Sequence, residues 1–530
     1  MRAFLRGPSV CFAVALFCLP TVFVYGEGLE FSPPAPLNSV GDPREESFTA
    51  IKTDGKGHWV AAWSSGDEGA SDIVVSRSVN NGETWTAPVP LNTNPATDFP
   101  LEGWVNLATD CAGNWLAVWI FQKEGEDLDL ISARSTDNGE NWSDPVPVTQ
   151  NVGDEYLHSI ATDKNGVWIV VCETLDTIGD EIGPDQELLV IRSTDNGATW
   201  SPPKWLNTNA PTDNRDDYEP CISVDVRGLW VVTWNSVLDD SERIHIARST
   251  NGGVTWSSPS PLNSNPVDHI NGASLLTATD SKGHWVAAWN VINLSGPEVR
   301  ILSARSTDGG QSWSAATPIN PNSASDSNFD FLMSLVTDEY GNWVATWMSE
   351  EQLDDGFPGE VDIEASFSTD NGATWSEPIP IDTADDPSDE DDYYPRLAAD
   401  GVGNWVCTWD SINWDSEGPY GTVFVSRAFL PIHVATIKVL APNGGEKWKQ
   451  GSKHNLTWES SAKGGNVRVE LRRNGGNPLV IQASTPDDGE VSWKVPKDLA
   501  TGKGYKVSVT AVGDAELTDQ SDSGFRIKPK

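Results

Sequence analysis

Six carboxylates, Glu46, Glu102, Glu155, Asp217, Asp330 and Asp392, stand eight residues ahead of an Asp that ends a recurring strand pattern, and Gly272 fills the seventh such place. Carboxylates converging on a channel mouth can hold Ca²⁺ or another hard cation, whose charge offsets their mutual repulsion. The same side chains can instead accept N–H bonds from neighbouring loops. Both roles stay open, so the reading requires no cofactor and leaves Ca²⁺ as an optional ligand.

A second set is defined by exception. Nineteen of the 25 Trp belong to repeated patterns and three to the C-terminal stretch, leaving Trp104, Trp205 and Trp414. Trp205 falls in a fourth strand and packs there. Trp104 and Trp414 are expected on one loop face with Tyr393, Tyr394, Arg396 and Arg44. Arg396 replaces Ala50, Asn106, Ser159, Cys221, Leu276 and Ser334 in strand register, which aims it into the channel. Aromatic faces with a few polar groups are the furniture of a sugar-binding cleft, with plain loop packing as the alternative.

The elements that position these residues are repeats. Asp-x-x-Gly-x-Trp-Val-x-x-Trp and its variants recur from Asp54, Asp110, Asp163, Asp225, Asp280, Asp338 and Asp400. The seven copies are about 58 residues apart, each an alternating strand, a Gly turn and a second alternating strand. Six copies continue into a second hairpin with the turn Ser-x-Asp/Asn-x-Gly-x-x-Trp, its acid being Asp137, Asp195, Asp308 or Asp370 in four of them. The Asp or Asn bonds its own turn backbone, Gly takes positive φ and Trp packs the turn onto its hairpin. Four strands per copy are the content of a propeller blade.

The seventh copy lacks a fourth strand, and Phe31-Ser-Pro-Pro-Ala-Pro-Leu-Asn38 matches the fourth strands Trp85–Asn92 and Trp256–Asn263. The expected fold is therefore all-β: a seven-bladed propeller over residues 29–430, closed by its N-terminal strand, which removes open edges. The six Ser-Asp-Gly-Trp turns are similar to the Asp-box, or BNR repeat, of sialidase-like β-propellers. In that family the box is a turn staple on the face away from the active site, so the resemblance implies a fold rather than an activity.

After a linker at 431–436 the texture changes. Residues 437–530 carry 15 Lys plus Arg and 11 Asp plus Glu, whereas 27–436 carry 18 and 66. About seven short alternating strands in this stretch predict an Ig-like β-sandwich. Pro442-Asn-Gly-Gly-Glu-Lys-Trp448 and Ser521-Asp-Ser-Gly-Phe-Arg-Ile527 resemble the Ig-like domain of the Ser-Thr-rich anchored cell-wall family, which implies an accessory, surface-associating module.

Arg2 and Arg6, the apolar run Val10–Val24 and the site Val24-Tyr25-Gly26 predict a signal peptide over residues 1–26, hence secretion. No later stretch is apolar enough to span a bilayer. Four cysteines remain, Cys111, Cys172, Cys221 and Cys407, read as thiols with a Cys172–Cys221 bridge as the alternative. A net charge of −42 excludes a nucleic-acid partner, because phosphates demand clustered Lys and Arg.

Three functions fit: a secreted propeller that binds glycan or a cell-surface or matrix glycoprotein on its acidic loop face; an exo-acting glycoside hydrolase or lyase; and a Ca²⁺-stabilised surface scaffold. A sialidase needs an arginine triad and an Arg-Ile-Pro motif. Arg44-Glu-Glu and Tyr394-Pro-Arg396-Leu only approximate that motif. Arg77, Arg134, Arg192, Arg248, Arg305 and Arg427 form a repeat column and are structural, so no catalytic residue is assigned.

Overall fold

The computed structural model describes residues 28–530 apart from 40–43, 68–69, 92–99, 124–126, 150–152, 176–184, 211–213, 239–240, 263–273, 294–297, 322–327, 353–357, 383–389, 416–417, 431–435, 461–465, 475 and 513. The expected leader, most of the linker and Gly272 lie outside the described residues. The chain is all-β, with no α-helix among the described residues and thus no helix long and apolar enough to cross a membrane.

Seven four-stranded units follow one another among the described residues. Unit 1 pairs Glu45–Thr53, Trp59–Asp67, Ala70–Ser78 and Val89–Pro90 in that order, each antiparallel to the next. Units 2 to 6 repeat this from first strands Pro100–Thr109, Glu155–Thr162, Asp216–Val224, Leu276–Thr279 and Phe329–Thr337. Unit 7 supplies Glu390–Ala399, Asn404–Asp415 and Gly418–Phe429 and receives Ala35–Pro36 as its fourth strand. Ala35 lies opposite Val425 and Pro36 opposite Phe424. Ser32 N–H donates to Arg427 O and Leu37 N–H to Val423 O, both at 2.7 Å. None of these sheets closes on itself, and a parallel bridge from Val299 to Phe329 joins units 5 and 6 into one eight-stranded sheet.

Within a unit the second strand is interior on both faces, which is why it reads as a near-continuous apolar run: Trp59, Val60, Ala61, Ala62 and Trp63 are all fully buried. Its two faces feed two interfaces. Val60 and Ala62 pack with Leu107, Trp115 and Trp119 of unit 2, while Trp59 and Trp63 pack with Leu37, Val406 and Val423 on the unit 7 side. First strands pack side by side in unit order, and that of unit 7 also packs on that of unit 1.

The Asp-box turns lock these junctions. Ser135 Oγ donates to Asp137 Oδ1 at 2.7 Å and accepts the Gly139 N–H at 2.9 Å, while Trp142 Nε1 donates to Gly139 O at 3.2 Å. Hydrogen bonds led by those of Thr199 hold Asp195 down at about 2. Burial pushes Asp308 up, but bonds from Ser312, Ser306 and Gln311 outweigh it and leave it also at about 2. Glycine is required twice over: Gly139 has φ +76, and a β-carbon there would lie 2.6 Å from Val60 Cγ2 of the preceding unit. At Gly82 the equivalent neighbour is Val406 of unit 7, at 3.0 Å. The repeated arginines reach the same turns: Arg192 Nε donates to Gly252 O at 2.5 Å and Arg427 Nη1 to Asn81 O at 3.4 Å.

The C-terminal stretch folds as two sheets. Ile437–Ala441, Lys453–Ser460 and Glu490–Lys494 form one. The other is built on Phe525–Lys528, Gly502–Ala511, Asn466–Arg473 and Leu479–Pro486. Trp448, Trp458, Trp493, Val469, Val507 and Phe525 share their core. Cys111, Cys172, Cys221 and Cys407 are all free, so the alternative Cys172–Cys221 bridge does not form.

Candidate functional site

The ladder of the first strand slips at a common place in six units. Register shifts fall between Ser47 and Ala50, Gly103 and Asn106, Glu155 and His158, Tyr218 and Cys221, Leu332 and Ser334, and Tyr393 and Arg396. The residue six places before the turn Asp takes the left-handed conformation in five units: Phe48 (φ 59), Trp104 (φ 50), Glu219 (φ 53), Ser274 (φ 57) and Tyr394 (φ 52). Such a φ costs on the order of 1–3 kcal/mol in a bulky residue and persists only where surroundings impose it. In three of these units the preceding unit supplies an acceptor for that residue's N–H. Asp410 Oδ2 accepts the Phe48 N–H at 2.6 Å and Glu173 Oε2 accepts the Glu219 N–H at 3.0 Å. Met348 Sδ accepts that of Tyr394 at 3.3 Å, and the equivalent Asn290 Oδ1 accepts the N–H of Leu332, which keeps an ordinary φ, at 3.0 Å. Each acceptor follows the last residue of the Trp-Val-x-x-Trp pattern, so one device recurs with changing chemistry.

The bulges ring a cavity of about 360 Å³, lined by 48–52, 104–107, 157–160, 219–223, 274–278, 333–336 and 396–397, a stretch from each of the seven first strands. At its edge units 7, 1 and 2 assemble an aromatic shelf. The Phe48 ring lies 4.9 Å from that of Trp104 and 5.0 Å from that of Tyr394, with Tyr393 at 6.1 Å from Tyr394. Trp104 is 39% exposed, an unusual state for Trp in this chain, where the tryptophans that open the second strands are wholly buried.

Unit 4 contributes an acid. Burial, then the charges of Glu173 and Glu242, push the Glu219 carboxyl up to about 7, against a bond from Asn235 Nδ2 at 2.8 Å. Burial raises Glu173 as well. Asp410 is also raised, by burial first, with the Phe48 N–H and Arg396 opposing. A carboxyl that keeps its proton near neutrality can donate a hydrogen bond or a proton.

The carboxylate column has a different setting. Glu46, Glu155, Asp217, Asp330 and Asp392 each lie opposite a hydroxyl residue of the second strand: Ser65, Thr174, Ser236, Ser349 and Ser411. Glu46 accepts from Ser65 Oγ at 2.9 Å and Trp63 Nε1 at 2.5 Å, and Glu155 from Thr174 Oγ1 at 3.2 Å. Glu102, opposite Phe121, accepts the Ile73 N–H of unit 1 at 3.2 Å. Asn207 of unit 3 donates to Asp217 at 2.8 Å, and Asn320 of unit 5 bonds Asp330 in the same way. Burial raises Asp392 well above the carboxylate range. All six are buried and engaged in strand pairing or unit junctions, and no group of three His, Cys, Asp or Glu fit for a metal occurs among the described residues.

Of the aromatic and basic set, Trp104, Tyr393 and Tyr394 come together through Phe48, which the sequence reading passed over. Arg396 lines the cavity and donates through Nη1 to Met333 O at 2.9 Å. Arg44 is exposed, 3.9 Å from Glu46. Trp414 sits in the strand Asn404–Asp415 opposite Pro419, not in a loop, because the hairpin ladder of unit 7 runs on to Asp415 and Gly418; its side chain lies outside the description. Glu219 and Lys52 were also missed. The available signal was the rows six and two places before the turn Asp, where unlike residues stand.

Residues 57–295 match the model of a BNR repeat-like domain, and residues 441–526 that of a Kre9/KNH-like N-terminal Ig-like domain. Over these two stretches the chain is similar to a BNR repeat-like domain followed by an Ig-like domain. No curated protein matches it. Similar solved structures include a protein of unknown function from Dyadobacter fermentans, at 13% identity, TM-score 0.44, covering 76% of this chain and 99% of that one. A point mutant of NanB sialidase from Streptococcus pneumoniae has 10% identity, TM-score 0.41 and coverage of 70% and 83%. An α-L-arabinanase from Penicillium chrysogenum, complexed with arabinobiose, has 13% identity, TM-score 0.39 and coverage of 74% and 96%.

Proposed function

We propose that residues 29–430 form a seven-bladed propeller closed by the N-terminal segment, and that this propeller is a secreted glycan-binding module. Closure is supported by the unit 7–unit 1 junction, which repeats the contacts of the others: Val406 under Gly82, Arg427 on Asn81, Asp410 on Phe48. The glycan reading rests on the shelf of Phe48, Trp104 and Tyr394 held in left-handed bulges at the cavity edge. Pyranose rings present C–H faces that stack on such rings, and polar cavity groups fix orientation. The Ig-like domain, residues 437–530, serves association with a cell surface or matrix.

The test is a glycan array probed with the mature chain and with Trp104→Ala. The proposal expects saturable binding to a defined glycan set, lost in the variant. Absence of binding to any glycan would contradict it.

A second reading has its own support. Glu219 lines the same cavity and holds its proton near neutrality with the Glu173 charge helping to raise it, as a general acid in glycosidic bond cleavage must. Turnover of oligosaccharides detected by released reducing ends and abolished in Glu219→Gln would replace the binder with an enzyme.

A further inference from the structure

Among the seven first strands, two cations enter the cavity from neighbouring units, and each stands where the repeat otherwise places smaller, uncharged residues. Arg396 of unit 7 is one. Lys52 of unit 1 is the other, in the row where the remaining units carry Ala108, Ala161, Ser223, Ala278, Val336 and Ala398. A residue that departs from a repeat in one copy is released from serving the repeat.

The Lys52 ammonium makes no ion pair or side-chain hydrogen bond among the described residues. Lys52 is exposed where it lines the cavity; desolvation by the surrounding protein, with the Arg396 charge adding to it, lowers its pKa against the opposing Cys221 thiol. Arg396 donates through Nη1 to Met333 O at 2.9 Å and Pro395 O at 3.3 Å, which leaves the rest of its guanidinium fork for another acceptor. Asp410 interacts electrostatically with Arg396, and burial raises its pKa. Two like charges facing one cavity without a full counter-charge repel, and a compact anion between them relieves that repulsion.

We propose that Lys52 and Arg396 form a binding site for a small oxyanion in the cavity below the aromatic shelf, its chemistry being that of sulfate, phosphate or a carboxylate. This site stands independently of the glycan reading. A free inorganic ion and an acidic substituent of a bound glycan share that chemistry.

The experiment is calorimetric titration of the mature chain with sodium sulfate and sodium phosphate at fixed ionic strength, paralleled by thermal melts against matched sodium chloride. The expected result is saturable binding with a rise in melting temperature beyond that in chloride. Lys52→Met should lose both and, without oxyanion, melt no lower than the parent, since one of two repelling charges has gone. Trp104→Ala should bind sulfate as the parent does, which separates this site from the shelf. Binding of an acidic but not a neutral form of one glycan, displaced by sulfate, would identify the glycan's substituent as the source. No heat with either ion, or an equal response in Lys52→Met, would overturn the proposal; if that variant fails to fold, absent binding to the parent alone decides against it.

Discussion

The Phe48 N–H donates to Asp410 Oδ2 at 2.6 Å, a bond between the first strand of unit 1 and the second strand of unit 7. It holds Phe48 in the left-handed conformation and so turns its ring to Trp104 and Tyr394. This contact between units 1 and 7 therefore also shapes the shelf.

Removing that acceptor should act on both. Asp410→Ala is expected to cost about 1–3 kcal/mol, the price of an orphaned buried N–H, and to weaken glycan binding. Asp410→Asn, which keeps an acceptor oxygen, should stay near the parent in both. Chemical denaturation and the glycan titration check this; equal effects of the two variants would refute it.

Glu219 gives a pH dependence. Its carboxyl is raised to about 7 in the fold against 4.5 when unperturbed, so between those values the folded chain holds a proton that the unfolded chain releases. This contribution is complete below 4.5 and is lost as pH rises through 7. Glu219→Gln removes it, so the variant should gain on the parent by on the order of 1–3 kcal/mol between pH 5 and pH 8. Melts across that range should diverge; parallel curves would mean the carboxyl is ionised throughout.

Gly139 tests the Asp-box junction. With φ +76 and a β-carbon 2.6 Å from Val60 Cγ2, Gly139→Ala should destabilise by about 2–4 kcal/mol. Truncating the neighbour in Val60→Ala should return part of that loss, leaving the cost of the left-handed φ. A double-mutant cycle in denaturant measures it, and strict additivity would remove the contact from the account.

What the residues disclosed in advance follows from repetition. The Asp-box turns, the Trp pairs and the match of 31–38 to a fourth strand are local patterns, and the all-β units and the Ala35–Val425 pairing were legible from them. The site was legible in part. Trp104 and Tyr394 stood out as aromatic exceptions, but Phe48 did not, because its role comes from a bulge imposed by Asp410 in a distant stretch. The carboxylate column was visible as a column, while its bonding to Ser65, Thr174, Asn207 and Asn320 depends on cross-strand register and unit packing. The raised carboxyl of Glu219 depends on Glu173 and Glu242, close only after folding.

The shelf itself is tested most directly by calorimetric titration of one array-selected glycan into the parent, Trp104→Ala and Trp205→Ala, the last removing a tryptophan packed with Val148 and Leu189 away from the cavity lining. The affinity should fall at least about tenfold in Trp104→Ala, the loss of roughly 1.4 kcal/mol or more that one stacking ring supplies, and hold in Trp205→Ala. Equal dissociation constants for all three proteins would place the glycan elsewhere and contradict the assignment.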